Sequence, residues 1–286
     1  NLHKGLETGD RDIVSHVIAL DRFVFQFSSA LNPDDKRFAS ELSTHGDAVK
    51  DIAFAVEDCR GIYQRAMERG AKSIREPYVL KDDKGEVVLA SIQTYGNVTH
   101  TFVERGGWTG TLHEFLPGYT KPLWEDPLLS LLPPTGLQFI DHIVGNQPDQ
   151  QMTPVADWYL NVLQFHRFWS VDDTQMHTEY SALRSIVVAN YEETIKMPIN
   201  EPAASRRGKS QIQEFVAHHG GAGVLQIAVP TEQIISPASA MTARGPPLLL
   251  PPANYDRNLP RRLKTTTITV ADDMIHIKKL SIIHHY

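Results

Sequence analysis

His142 has the clearest capacity for chemistry, because its imidazole sits in the apolar run Ile140-Asp141-His142-Ile143-Val144 with a carboxylate beside it. If that run is a strand, Ile140, His142 and Val144 share a face. Two readings follow: a hydrogen-bonded core histidine, or a metal ligand whose ring nitrogen is turned into a cavity. Other candidates carry less. His218-His219 and His284-His285 are adjacent pairs whose rings diverge, the usual arrangement of solvated histidines. Gly220, Gly221 and Gly223 lack the lysine of a phosphate loop and read as a tight bend. Cys59 has no histidine partner and reads as a packing residue, Trp158 and Tyr159 as helix core, and Arg206, Arg207 and Lys209 as an exposed loop.

The elements that must position these residues show themselves through an internal repeat. A shift of 175 positions lays Gly46, Val49, Ile52, Ala53, Glu57, Arg69, Gly70 and Pro77 over Gly221, Val224, Ile227, Ala228, Glu232, Arg244, Gly245 and Pro252. Each copy reads as strand, helix, glycine stop and strand. In the first, residues 51–56 alternate like a half-buried strand, Glu57-Asp58 opens a helix over 59–69, and Gly70 ends it. In the second, Pro237 falls inside the expected helix, which predicts a shorter or distorted one. Strands are also predicted at 90–95 and 101–104 around a Gly96-Asn97 turn, and at 137–144, with a helix over 154–163. The proline-rich stretch from Phe115 to Pro134 reads as a connector, giving modules at 1–120 and 136–286 with a linker at 121–135. Aligned on each other, the first module lacks an opening strand and helix, and the second, which reaches Ser281–Tyr286 as a strand, lacks a last one. The expectation is a chain cut at both ends.

The 286 residues are 41% hydrophobic and 22% charged, which excludes disorder and a stapled miniature. A net charge of −6 argues against nucleic acid as a partner. One cysteine forms no internal disulfide and no apolar run is long enough for a membrane span, so a reducing, soluble compartment is expected, and Asn1, which is neither an initiator Met nor the start of an apolar leader, reads as a cut end.

Three runs extend the reading: Phe139-Ile140-Asp141-His142-Ile143-Val144-Gly145-Asn146-Gln147-Pro148, Gln164-Phe165-His166-Arg167-Phe168-Trp169-Ser170-Val171-Asp172-Asp173, and Pro198-Ile199-Asn200-Glu201-Pro202. With residues 209–214 and Gly220-Gly221-Ala222-Gly223-Val224, they strongly resemble the 4-hydroxyphenylpyruvate dioxygenases of animals. The likeness runs from about Gly5 to Val229 and returns at Arg262-Leu263-Lys264-Thr265. It implies an α+β fold of two tandem βαβββ modules of the vicinal oxygen chelate type, each a half-open barrel, with chemistry in the C-terminal one. It also implies an iron(II) held by two histidines and one glutamate, with open positions for a 2-oxo acid and dioxygen.

By that resemblance His142 takes the first histidine position. The second belongs to a Gly-Val-Gln-His pattern, but this chain has Gly223-Val224-Leu225-Gln226, so Gln226 stands where imidazole is expected. The glutamate lies past Tyr286 in the pattern. Its module-one counterpart is Glu104, read here as a solvated charge at a strand end. Ser185, Asn200 and Gln211 fall at substrate positions; by themselves they also read as a strand serine, a turn anchor between Pro198 and Pro202, and a surface helix residue. The implied function is conversion of 4-hydroxyphenylpyruvate and O2 to homogentisate and CO2 in tyrosine breakdown, by a homodimer. Gln226 keeps two alternatives open: a silent form that retains a binding or dimerising surface, and an oxygenase of another aryl 2-oxo acid.

Overall fold

The computed structural model describes residues 1–124, 127, 131–171, 183–203, 209–245, 248–251 and 274–283. Asp172-Asp173, Arg206-Arg207, Arg262–Thr265 and His284-His285 lie outside them. Contacts divide the chain into one unit of Asn1–Pro122 with Phe139–Val229 and another of Leu123–Gln138 with Pro230–Tyr286.

Among the described residues, the first unit forms three sheets. Strands β1 (Leu2–Lys4), β2 (Ile13–Leu20) and β3 (Phe23–Ala30) form an antiparallel meander, followed by α1 (Lys36–His45). Then β4 (Asp51–Ala55), α2 (Cys59–Glu68), β5 (Lys72–Asp82), β6 (Gly85–Gln93) and β7 (Thr99–Trp108) build a sheet in the order β4-β7-β6-β5, with β4 and β7 parallel. The same connectivity recurs in β8 (His142–Asn146), α3 (Met152–Val162), β9 (His166–Val171), β10 (Leu183–Ala189) and β11 (Lys196–Pro202). There β8 and β11 are parallel. Helix α4 (Gln211–His219) leads to β12 (Gly223–Ala228), which adds to the free edge of β8 and completes the order β12-β8-β11-β10-β9. The second unit holds α5 (Ile235–Ala243) and α6 (Met274–Lys279).

This is the mixed α+β, half-open architecture predicted from the sequence. The repeat is structural: moved by 175 positions, Lys36 and Cys59 land on 211 and 234, where α4 and α5 begin to within one residue. Helix α5 is one residue shorter than α2, in the direction Pro237 predicts, but it is not broken there. Pro237 is the third residue of that helix, in the first turn, where a missing N–H removes no intrahelical bond. The strand expected from Leu137 begins only at His142, because residues 137–141 lack ladder partners apart from the Asp141 N–H bonded to the Ala228 carbonyl. Ser281–Ile283 are not strand.

Local chemistry explains the helix starts. Asp35 accepts from the N–H groups of Arg37 and Phe38, Asp58 from that of Gly61, and Ser210 exchanges bonds with Gln213 in a capping box. Packing then joins the two βαβββ units. Ile52, Tyr95 and Val98 of the first enter one core with Ile143, Tyr159, Met197 and Ile199 of the second. Met197 and Ile199, 1% and 0% exposed, each contribute roughly 2 kcal/mol by leaving water. Gly145 permits this approach, since a Cβ there would lie 2.5 Å from the Tyr95 hydroxyl.

One polar chain crosses that core. Thr94 donates to the Tyr159 hydroxyl at 3.3 Å, Tyr159 donates to His100 Nε2 at 2.7 Å, and His100 Nδ1 donates to the Ile52 carbonyl at 3.0 Å. Burial pushes the His100 pKa down to about 4, with the bond to Ile52 opposing only in part. The ring is therefore neutral, and both nitrogens are satisfied. Below pH 6.5 the unfolded chain takes up a proton that the folded one refuses, so stability from this site is full above 6.5 and falls as pH drops toward about 4. Denaturant titrations should show a loss on the order of 3 kcal/mol across that window. Tyr159→Phe, which strands the imidazole nitrogen, should cost about 1 to 3 kcal/mol at pH 7.5.

Candidate functional site

Strand alternation and register decide which side chains meet. On β8, Ile143 faces the core and Gly145 abuts the core residue Tyr95, so His142, Val144 and Asn146 face the other way. Across β11, His142 pairs with Lys196 and Asn146 with Asn200, and across β10, Asn200 pairs with Ser185. Directly paired residues share a face. His142, Asn146, Asn200 and Ser185 therefore lie on one side of the five-stranded sheet, opposite the core.

Gln226 joins them through a bulge. Gly223 pairs with Asn146 and Val224 with Gly145, but Gln226 rather than Leu225 pairs with Val144. The extra residue lets Val224 and Ile227, three positions apart, both turn into the core while Gln226 shares the face of His142. The Gln226 side chain is exposed. Helix α4 covers the end of this face near Gly223, where the His219 ring fills the space a Cβ would need, 2.2 Å from Nε2.

His142 is oriented by its neighbours. Its Nδ1 donates to Asp141 Oδ2 at 2.7 Å, and Lys196 Nζ donates to Asp141 Oδ1 at 2.8 Å. The bond from His142, then that from Lys196, holds the Asp141 carboxyl below the usual range. A carboxylate that only accepts fixes the proton on Nδ1 and leaves Nε2 with a free lone pair. Sequence reasoning missed Lys196, whose pairing with His142 depends on a parallel strand 54 residues away.

The substrate candidates divide. Ser185 and Asn200 are buried side by side, and Asn200 belongs to β11 rather than to a turn between the two prolines. Gln211 is the exposed first residue of α4, and no bond ties it to the row. Asn146, also missed, is fully buried in that row. Among the described residues no three His, Cys, Asp or Glu side chains cluster as a metal group would need. One imidazole and one exposed amide do not match a facial set of two imidazoles and a carboxylate. A cleft of about 570 Å³ beside Phe54, Ile62 and Phe165 includes none of the candidate residues.

Three further expectations change or hold. Glu104 is not a solvated charge: its Oε2 accepts the N–H of Cys59 at 2.8 Å, adding to the N-cap of α2. His219 is buried, stacked on His45 at 4.4 Å and on Phe215 at 5.1 Å, while His218 is exposed. Desolvation, then the neighbouring His45, lowers the His219 pKa. Cys59 is fully buried with its thiol pushed up to about 11 by burial, which suits packing and not attack.

Residues 139–272 match the family model described as the Glyoxalase/Bleomycin resistance protein/Dioxygenase superfamily. The 4-hydroxyphenylpyruvate dioxygenase of Danio rerio is 54% identical over 98% of this chain and 70% of its own length. The chain belongs to the 4-hydroxyphenylpyruvate dioxygenase family. The Xenopus tropicalis member is 53% identical over 99% of this chain and 71% of its own. A triple mutant of 4-hydroxymandelate synthase from Streptomyces coelicolor shares the fold, with a TM-score of 0.76 at 21% identity, covering 98% of this chain and 75% of that one. This is a family of enzymes. Among the described residues no helix is long and apolar enough to cross a membrane.

The capping role of Glu104 is open to measurement. Glu104→Ala should lower stability by about 1 kcal/mol in urea unfolding, and Glu104→Gln, which keeps an acceptor, by clearly less.

Proposed function

We propose that this chain seats 4-hydroxyphenylpyruvate on the face shared by His142, Gln226, Asn200 and Ser185, and that its reaction is the iron(II)-dependent conversion of this acid and O2 to homogentisate and CO2. The observation that carries the reading is the register of β12, β8, β11 and β10, which gathers four residues from separate parts of the sequence onto one side of one sheet. Uncharged hydroxyl and amide groups at Ser185 and Asn200 suit orientation of an aryl 2-oxo acid without adding charge. Gln211, at the start of α4, completes the substrate set in this reading.

Iron(II) would supply activation of dioxygen and of the 2-oxo acid. His142 is equipped to hold it, because Asp141 and Lys196 fix the ring with Nε2 available. Gln226 is not equivalent to a second imidazole, since a neutral amide oxygen is the weaker donor to iron(II). The described residues therefore fit the acid better than the metal, and low turnover with retained substrate binding is the expected state of this chain. Gln226 also favours the second reading, a silent member of the family that keeps a binding or dimerising surface. The modules at 1–120 and 136–286 with a linker at 121–135, a homodimer, a cytoplasmic setting and a place in tyrosine breakdown belong to the same proposal.

Equilibrium dialysis with iron(II) should leave well under one equivalent on the chain, and full retention would contradict the proposed defect. Gln226→His should tighten iron binding at least 10-fold by restoring an imidazole. Oxygen uptake with 4-hydroxyphenylpyruvate, followed through homogentisate, then separates a slow dioxygenase from a silent one.

A further inference from the structure

Asn146 ends β8 with its side chain wholly removed from solvent, and neither its amide oxygen nor its amide nitrogen has a hydrogen-bond partner among the described residues. An amide buried in this way costs folding free energy, and none of the described residues offsets it. Such a group is retained where a ligand completes it. Its position points to that ligand. Asn146 pairs with Asn200, and Asn200 pairs with Ser185, so the three stand side by side across β8, β11 and β10 on the face that carries His142. On the other flank Asn146 pairs with Gly223, and the His219 ring of α4 closes that end. The row holds no charged side chain. Arg184, next to Ser185, points to the opposite face and forms an ion pair with the buried carboxylate of Glu201 at 2.9 Å.

We propose that Asn146 is a specificity-determining residue that binds the ring hydroxyl of the substrate, a proposal that rests on the aryl 2-oxo acid reading above. The chemistry selects a hydroxyl over a carboxylate. An amide presents a donor and an acceptor, whereas a carboxylate only accepts and would leave the Asn146 oxygen unpaired. A phenol donates to that oxygen and accepts from a neighbouring amide N–H. Asn146 lies four positions after His142, roughly 13 Å along the strand, so an elongated acid can address His142 with its 2-oxo end and the asparagine row with its hydroxyl.

The test is calorimetric binding of 4-hydroxyphenylpyruvate and of phenylpyruvate, which lacks the hydroxyl, to the full chain and to Asn146→Leu and Asn146→Ala, with thermal melts of each. The unsubstituted chain should prefer the hydroxylated acid at least 10-fold. Both variants should lose that preference while keeping affinity for phenylpyruvate, and Asn146→Leu should melt no lower than the parent, because it removes an unpaired polar group. An amide with a purely structural role gives the opposite pattern, a lower melting temperature with the preference intact, and that result overturns the assignment; Asn146→Ala decides the matter if the leucine does not fit. Failure of the unsubstituted chain to bind either acid would bring down the aryl 2-oxo acid reading itself, whereas binding of both without preference would refute only the role of Asn146.

Discussion

Everything at the candidate site depends on the interior position of β8, held parallel to β11 on one side and antiparallel to β12 on the other. A strand presents alternate residues to opposite faces, so a register error of one residue would turn His142 and Asn146 into the core and bring Ile143 out. The core forbids that slip. Ile143, Ile199, Val188 and Ile186 must all stay buried, and their burial holds the polar residues opposite on a single side. Apolar packing on one surface of the sheet is what arranges the chemistry on the other.

Two features refine this arrangement. The bulge at Leu225 reconciles two apolar residues spaced three apart with a strand that must also present Gln226 on the polar side. Asp141 and Lys196 then fix which nitrogen of His142 carries the proton. Neither feature makes Gln226 a strong donor. Gln226 keeps its place on the polar face, but a neutral amide oxygen is a weaker donor to a metal than an imidazole.

Much of the architecture was legible in the sequence because it is local or repeated. The eight identities at an offset of 175 mark matching helix starts, and Asp58 and Gly70 bracket α2 as their chemistry requires. Asn200, Lys196 and Glu104 were harder to read, since each takes its role from a partner far along the chain. Asn200 looks like a turn residue between two prolines until β10 and β8 pair on either side of it. Glu104 looks like a strand-end charge until α2 places the Cys59 N–H against it. His219 follows the same rule, its burial set by α1 through His45.

The core that the two βαβββ units share sets a limit on how they can diverge. Ile52, Tyr95 and Val98 of the earlier unit are the lid of the later one, and the bond from Tyr159 to His100 anchors that lid through a side chain of each. The amino-terminal copy is thus an internal scaffold for its neighbour. It is free to use a residue such as Glu104 for capping, but it cannot be discarded without stripping the apolar back from the sheet that bears the candidate site.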